Sequence, residues 1–435
     1  GTMGGGIAMN FANAGIPVNL LDIVPKDARN RNTISQSAIS QMLKPVKLGS
    51  PSQLMHPDNA NLITAGNLED DLDLMGDSDL IIEVVIEKLE IKHEVFKKIE
   101  KYRKDSSIVT SNTSTIPRSQ LVDGMPNSFT EDFFITHFFN PPRYLRLLEI
   151  VAGKEVDSGK LKAITDFCDI KLGKEVVICN DTPGFIGNRI GMYWSLTAMV
   201  EAFKAGLTVD EADAIMGRPI GAPKTGVFAL GDVVGLDLIP HVTESLSRNL
   251  PVNDDYNLGV KEQSQLGIDL LLKEMVSTGY TGRKGKGGFY RINESSGNRI
   301  KESRNLKTGD YSTSVKSNLD SIKIAKNGLR ALVEFDDKGG HYAWRVLSKT
   351  LRYAASLIPE ITQNIVNVDN AMKNGFLWKK GPFQMLDELG PSWFAAKIIE
   401  DGLEVPELLM KVGENNFYKD DDEVSSYFNV NGKYS

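Results

Sequence analysis

Fifty Lys and Arg face 57 Asp and Glu over 435 residues, a net charge of −7 with an isoelectric point near 5.5. At roughly 150 residues per domain the length implies about two to four domains, and 41% hydrophobic residues suffice for several cores. The acidic balance argues against a nucleic-acid binder, which needs a basic face for phosphate, and no run of about eighteen apolar residues predicts a membrane span. Two cysteines, Cys168 and Cys179, exclude a disulfide scaffold and a Cys-type zinc site, and they fit a reducing, cytoplasmic setting.

The chain opens with Gly1-x-x-Gly4-x-Gly6 followed by Ile7-Ala8-Met9-Asn10-Phe11-Ala12, a glycine turn entering an amphipathic helix that ends at Ala14-Gly15. Val18 to Asp22 reads as a short strand closed by a carboxylate. In the dinucleotide pattern G-x-G-x-x-G, a strand precedes the glycines and a ribose-binding acid follows about 20 residues later. Gly1 and Gly4 would be the last two glycines, and Asp22 the acid, which favours NAD because a 2′-phosphate would be repelled. A flexible leader is the alternative for the glycines alone. The pattern's first glycine and first strand are absent, so the expectation is a fragment beginning inside its own cofactor motif.

Beyond Asp22, strand-like runs at Asn61–Thr64, Leu80–Ile86, Ser107–Thr110 and Phe133–Thr136 alternate with helical stretches, among them Ser35–Pro51 and Leu89–Lys101. This alternation predicts a mostly parallel sheet covered by helices over residues 1–181. From Asp181 the pattern is helical. A first helical domain is expected over 182–292, a linker or long loop over 293–321, a second helical domain over 322–409 and a loosely ordered polar tail over 410–435. The helical parts echo one another: Gly226, Phe228, Asp232 and Gly235 recur as Gly381, Phe383, Asp387 and Gly390, and Asp213-x-x-Met216 recurs as Asp369-x-x-Met372. That ordered set predicts a duplicated module.

Five histidines are present. His93 reads as solvated and His241 as a core residue, but His137 lies where a strand runs into Asn140-Pro141-Pro142, and the chain resumes as Leu145–Val151 carrying Glu149. If the two runs pass close together, Glu149 can orient the imidazole and make it a better base. A structural contact is the other reading. Ser111-Asn112-Thr113-Ser114-Thr115 follows a strand at the carboxyl edge where such sheets bind ligands; it suits a carbonyl or cofactor amide, or equally a helix cap. Glu87 and Lys92 alone would be a routine acid and a surface lysine, while Asn188-Arg189 at the start of the helical region could reach back to the sheet edge. No His, Cys and acid cluster has metal-ligand spacing.

Together the segments GTMGGGIA, SNTSTIP, HFFNPP with LLEIV, NDTPGFIGNRI, GLDL and GRKGKGGFY resemble the 3-hydroxyacyl-CoA dehydrogenase family, in the family's order from residue 1 to 290. The run from Met372 to Phe383 is similar to the repeated C-terminal domain of multifunctional β-oxidation proteins. The resemblance implies an α/β Rossmann-type NAD-binding domain, first strand missing, followed by two all-α C-terminal-type domains. The missing strand would be central, and its loss is expected to weaken NAD binding.

Carried over, the resemblance makes His137 the general base, Glu149 its orienting partner, Ser114 a catalytic and substrate-binding hydroxyl and Asn188 a substrate-binding amide. Gly1, Met3, Gly4 and Asp22 would hold the adenine side of NAD, with Glu87, Lys92 and Asn112 near its nicotinamide. The expected activity is oxidation of (S)-3-hydroxyacyl-CoA to 3-oxoacyl-CoA. Expected partners are the acyl-CoA thioester, a second copy in a homodimer, and a fused or associated enoyl-CoA hydratase domain. The turn Pro141-Pro142-Arg143-Tyr144 departs from the commoner NPV type and leaves acyl-chain preference open. A dehydrogenase of a non-CoA hydroxy acid is disfavoured by the histidine pair, and a non-catalytic fragment or assembly module is the reading from another class.

Overall fold

The computed structural model describes residues 1–26, 28–44, 54–295, 297–421 and 424–435, and these divide into two compact units, Gly1–Thr182 and Pro183–Ser435. Among the described residues no helix is long and apolar enough to cross a membrane.

Among the described residues the first unit holds seven strands in two sheets. Strands β1 (Val18–Asp22) and β2 (Ile63–Asn67) pair in parallel by themselves. A five-stranded sheet follows in the order β3 (Leu80–Glu83), β4 (Ile108–Ser111), β5 (Phe133–Phe138), β6 (Leu147–Ala152) and β7 (Glu175–Ile178). Its neighbours are parallel except β5 and β6, which run antiparallel with His137 opposite Glu149. The helix Thr2–Asn13 serves both sheets, because apolar residues four apart lie on one face. Ile7 and Phe11 join Phe134, Phe138, Leu148 and Ile150, whereas Ala8 and Ala12 join Leu20 and Ile63.

Several boundaries differ from those read off the sequence. Residues 57–62 form a 3-10 turn, so β2 begins at Ile63. The apolar run from Leu80 leaves the sheet after Glu83, whose carboxylate turns to accept the Val85 N–H at 2.5 Å. The helix expected over Ser35–Pro51 is seen as Thr33–Met42, and its continuation past Lys44 lies outside the described residues. Strand β7 had no separate signal.

The second unit contains the repeat. Asp213 accepts the N–H groups of Val227, Phe228 and Ala229 at 2.7–3.0 Å, and Asp369 accepts those of Phe383 and Gln384 at 2.8 and 3.0 Å. A Cβ on Gly226 or Gly381 would fall 2.5 or 2.3 Å from the Cα of the respective aspartate, so each glycine permits the close approach. Asp232 takes Phe289 and Tyr290, and Asp387 takes Phe417 and Tyr418. The rings match too: Phe228–Phe289 are 4.7 Å apart and Phe383–Phe417 4.9 Å, both edge-on. The Phe-Tyr pair of the second copy escapes a fixed-period search because it lies 30 residues past its aspartate, against 57 in the first copy.

Two regions therefore read differently in three dimensions. The segment 293–321, expected as a linker or long loop, carries β9 (Ile300–Arg304) and β10 (Tyr311–Thr313), which with β8 (Tyr290–Asn293) make an antiparallel sheet. Cross-strand pairing, such as Arg291 with Glu302, supplies what apolar periodicity did not. The polar tail places Phe417 and Phe428 in the core and forms a hairpin of β11 (Tyr418–Asp421) and β12 (Val424–Tyr427); Asp422 and Glu423 lie outside the described residues.

The long helices of the two copies, Gly187–Ala205 and Lys338–Ser356, pack on each other. Tyr342 Oη donates to Ala198 O, and Lys349 pairs with Glu201 at 2.6 Å. Gly191 receives the Phe376 ring, into which a Cβ would project at 1.9 Å.

Candidate active site

The sheet register builds the first part of the site. On facing strands of an antiparallel pair, directly opposed side chains lie on one face. His137 of β5 and Glu149 of β6 are so opposed, and Nδ1 meets Glu149 Oε2 at 2.7 Å with both side chains buried. A carboxylate on Nδ1 requires the proton there and makes Nε2 the basic nitrogen of the neutral ring. The Cys179 thiol reaches the other Glu149 oxygen at 3.8 Å, and Phe139 packs on the imidazole with ring centroids 4.6 Å apart.

The chain between these strands is fixed from below. Lys174 is buried and donates to the carbonyls of Pro142 and Leu145, one on each side of Arg143-Tyr144. Burial pushes its amine down to about 8, with Cys168 acting in the opposite direction. At the exposed tip the Arg143 guanidinium lies over the Tyr144 ring at 5.4 Å.

A second cluster occupies the carboxyl ends of β3 and β4. Lys92, a surface lysine by sequence alone, is buried and bonds both oxygens of Glu83 at 3.0 and 3.1 Å and Glu87 at 3.2 Å. It comes inward because it lies on the buried face of helix Leu89–Tyr102 with Phe96 and Ile99, and a buried ammonium needs carboxylates. Glu87 Oε1 accepts from Thr113 Oγ1 (2.5 Å) and from the backbone N–H groups of Ser114 (2.8 Å) and Thr115 (3.2 Å). Burial works against the charged Glu87, but Lys92 and these donors outweigh it and hold its pKa below the ordinary value. Asn112 ties the cluster to β5, its Oδ1 accepting the Phe138 N–H at 2.9 Å.

Glu83 was missed by sequence reasoning, and Ser111 was read only as part of the hydroxyl run. Ser111 Oγ donates to Glu83 Oε2 at 2.6 Å, so Glu83 anchors the whole cluster. The available signal was an acid ending an apolar strand, with a lysine nine residues on; reading Leu80–Ile86 as one strand hid it. His241 is exposed rather than in the core, because its helix Leu238–Asn249 buries only Leu246. His93 is half-buried with Nε2 3.0 Å from Gln120 O.

The third part is the helix Thr2–Asn13 and β1. Its first turn holds no acidic side chain, so the N-terminal dipole and unpaired N–H groups suit an anion. A Cβ on Gly1 would meet nothing within 4 Å and one on Gly4 only Val84 at 3.8 Å, which leaves room at this end for a phosphate-bearing group. The terminal amine of Gly1 lies 2.7 Å from Asp22 Oδ2. Met3 is turned instead toward the Ile7–Phe11 cluster. Asn188 belongs to the second unit, in the first turn of helix Gly187–Ala205, and is half-buried.

A helix N-terminus, a strand ending in an acid and a carboxyl edge of hydroxyl and amide groups are the features of a nucleotide-binding α/β domain. Residues 1–182 match the NAD-binding domain of 3-hydroxyacyl-CoA dehydrogenase, and residues 184–292 and 340–417 match the C-terminal domain of that enzyme. A Deinococcus radiodurans protein named "Probable 3-hydroxyacyl-CoA dehydrogenase" is 40% identical over 291 residues, covering 67% of this chain and 80% of its own length. A Bacillus subtilis 168 protein of the same name is 39% identical over 450 residues, covering 98% of this chain and 55% of its own. The crystal structure of 3-hydroxybutyryl-CoA dehydrogenase from Escherichia coli K12 shares the fold, with a TM-score of 0.65 at 20% identity over 94% of this chain and 96% of that one. The chain belongs to the 3-hydroxyacyl-CoA dehydrogenase family, and its first domain is built for NAD. It spans about half the length of the longer curated relatives it matches.

Proposed function

We propose that this chain oxidises a 3-hydroxyacyl-CoA thioester to the 3-oxoacyl-CoA, as a step of fatty-acid oxidation, with His137 as the general base. The observation that carries the reading is the buried 2.7 Å contact of His137 Nδ1 with Glu149. His137 Nε2 takes the proton of the 3-hydroxyl as the C3 hydrogen departs as hydride, and Glu149 stabilises the imidazolium that results. Such proton transfer contributes about 10²–10⁴-fold to rate. NAD supplies the hydride acceptor.

Ser114 holds the substrate oxygen, and Asn188 binds the acyl-CoA near the reacting carbon. Gly1, Gly4 and Asp22 hold the adenine half of NAD, with Met3 as packing beneath that turn, while Glu87, Lys92 and Asn112 order the edge that receives the nicotinamide half. An enoyl-CoA hydratase domain, fused or associated, would supply the 3-hydroxyacyl-CoA. The test is NADH absorbance in the reverse direction with acetoacetyl-CoA and the intact protein. Steady oxidation of NADH is expected; none at any acetoacetyl-CoA concentration would end this reading.

A further inference from the structure

Arg189 takes no part in the proposed chemistry, yet its side chain is fully buried. Nε donates to Tyr353 Oη at 2.5 Å, Nη2 to Asp254 Oδ2 at 2.5 Å and Nη1 to Glu360 Oε1 at 3.2 Å. Tyr353 Oη donates in turn to Asp254 Oδ1 at 2.7 Å. Asp254 caps helix Asp255–Gln265 of the first copy, whereas Tyr353 lies on the long helix of the second copy and Glu360 follows it.

The turn that leads to this cage is one a free chain would rarely adopt. Gly184 (φ 74°) and Phe185 (φ 49°) are both left-handed, and for a bulky side chain that conformation persists only when its surroundings over-determine it. Arg189 contributes a second tie, its N–H bonding Gly184 O at 3.1 Å. Asn188 is thus held between a strained turn and a caged guanidinium.

We propose that Tyr353 and Glu360 are positioning residues: they fix Arg189, and through it the orientation of Asn188, so the second helical copy is a working part of the substrate site. This rests on the reading of Asn188 as substrate-binding. A small misplacement of a binding group can cost as much as about a hundredfold in rate, so loss of one cage member should be visible without unfolding.

The experiment is a double-mutant cycle of Tyr353→Phe and Asn188→Ala in the intact protein. It is read by acetoacetyl-CoA turnover with NADH and by calorimetric affinity for acetoacetyl-CoA. Tyr353→Phe keeps the ring that packs 4.2 Å from Tyr193, and should lower kcat/KM about tenfold. The double variant should be no worse than Asn188→Ala, because both changes remove the same contact. Losses that multiply, or Tyr353→Phe as active as the parent beside an impaired Asn188→Ala, overturn the proposal. Should Tyr353→Phe unfold, Glu360→Gln, half-exposed, reads the same cycle. A parent that binds acetoacetyl-CoA without turnover sinks the dehydrogenase reading instead, and the cycle is then decided in affinity. If Asn188→Ala changes neither rate nor affinity, the assignment of Asn188 and this proposal fall together.

Discussion

The two units bury carboxylates for different ends. In residues 1–182, Glu83 and Glu87 meet Lys92, and Glu149 meets His137. In residues 183–435, Asp213, Asp232, Asp369 and Asp387 are satisfied chiefly by backbone N–H groups that tie a distant segment to each aspartate. A carboxylate on a titratable side chain can share a proton with it, whereas one wrapped in backbone amides can only hold the chain. For these residues partner type follows the division between candidate chemistry and architecture, with Asp254, held by Arg189 and Tyr353, as a structural exception in the second unit.

The comparison breaks most sharply at His137. His137→Ala should lower kcat about 10²–10⁴-fold. Because it takes the imidazole away from the buried Glu149 carboxylate it should also lower the thermal midpoint, so kcat is read at a temperature where the variant is folded. A near-normal kcat would remove the base from the proposed chemistry.

The next largest effects test whether the two copies are equivalent architecture. Phe228→Ala and Phe383→Ala each empty a fully buried ring site and should cost about 3–5 kcal/mol in urea unfolding. A cost for Phe383→Ala far below that for Phe228→Ala would mean the second copy is not packed as the first.

The smallest effects, about 1 kcal/mol each, differ in sign with pH. Glu87 is held below its ordinary pKa by Lys92 and the Thr113 and Ser114 donors against the cost of burial, so its stabilisation is present above the unfolded value and lost as pH falls through the folded one. Burial pushes Asp369 up to about 7 despite its backbone donors, so its relative stabilisation is complete below the unfolded value and lost as pH rises toward 7. The stability gap between parent and Glu87→Gln should therefore close on acidification. The gap between parent and Asp369→Asn should shift against the parent on raising pH from about 4 to 7. Parallel slopes for the two would erase the contrast.

Much of the site was legible because its signals are short. The glycines with Asp22 at strand distance, the hydroxyl run after β4 and the His137–Glu149 segments flanking a proline turn need only local periodicity. Glu83 was not legible, since its role depends on Lys92 entering from a helix. The Arg189 cage was not legible either, because its partners Asp254, Tyr353 and Glu360 lie 65 to 171 residues away. The sheet over 290–313 escaped because most of its cross-strand pairs include a polar or charged residue, such as Tyr290 with Ser303 and Arg291 with Glu302, so no alternation of apolar residues marks them.

By itself, the sequence determined the αβ alternation, the glycine turn, the duplicated aspartate and phenylalanine positions and the family. These are patterns of spacing, and spacing is a property of the chain alone. Only the tertiary structure decided which way Lys92 points, that Phe417 completes the second copy from within a polar tail, and that Tyr353 grips Arg189. Each depends on where buried charge and aromatic surface find a partner, and in a folded chain that partner can be any distance away in sequence.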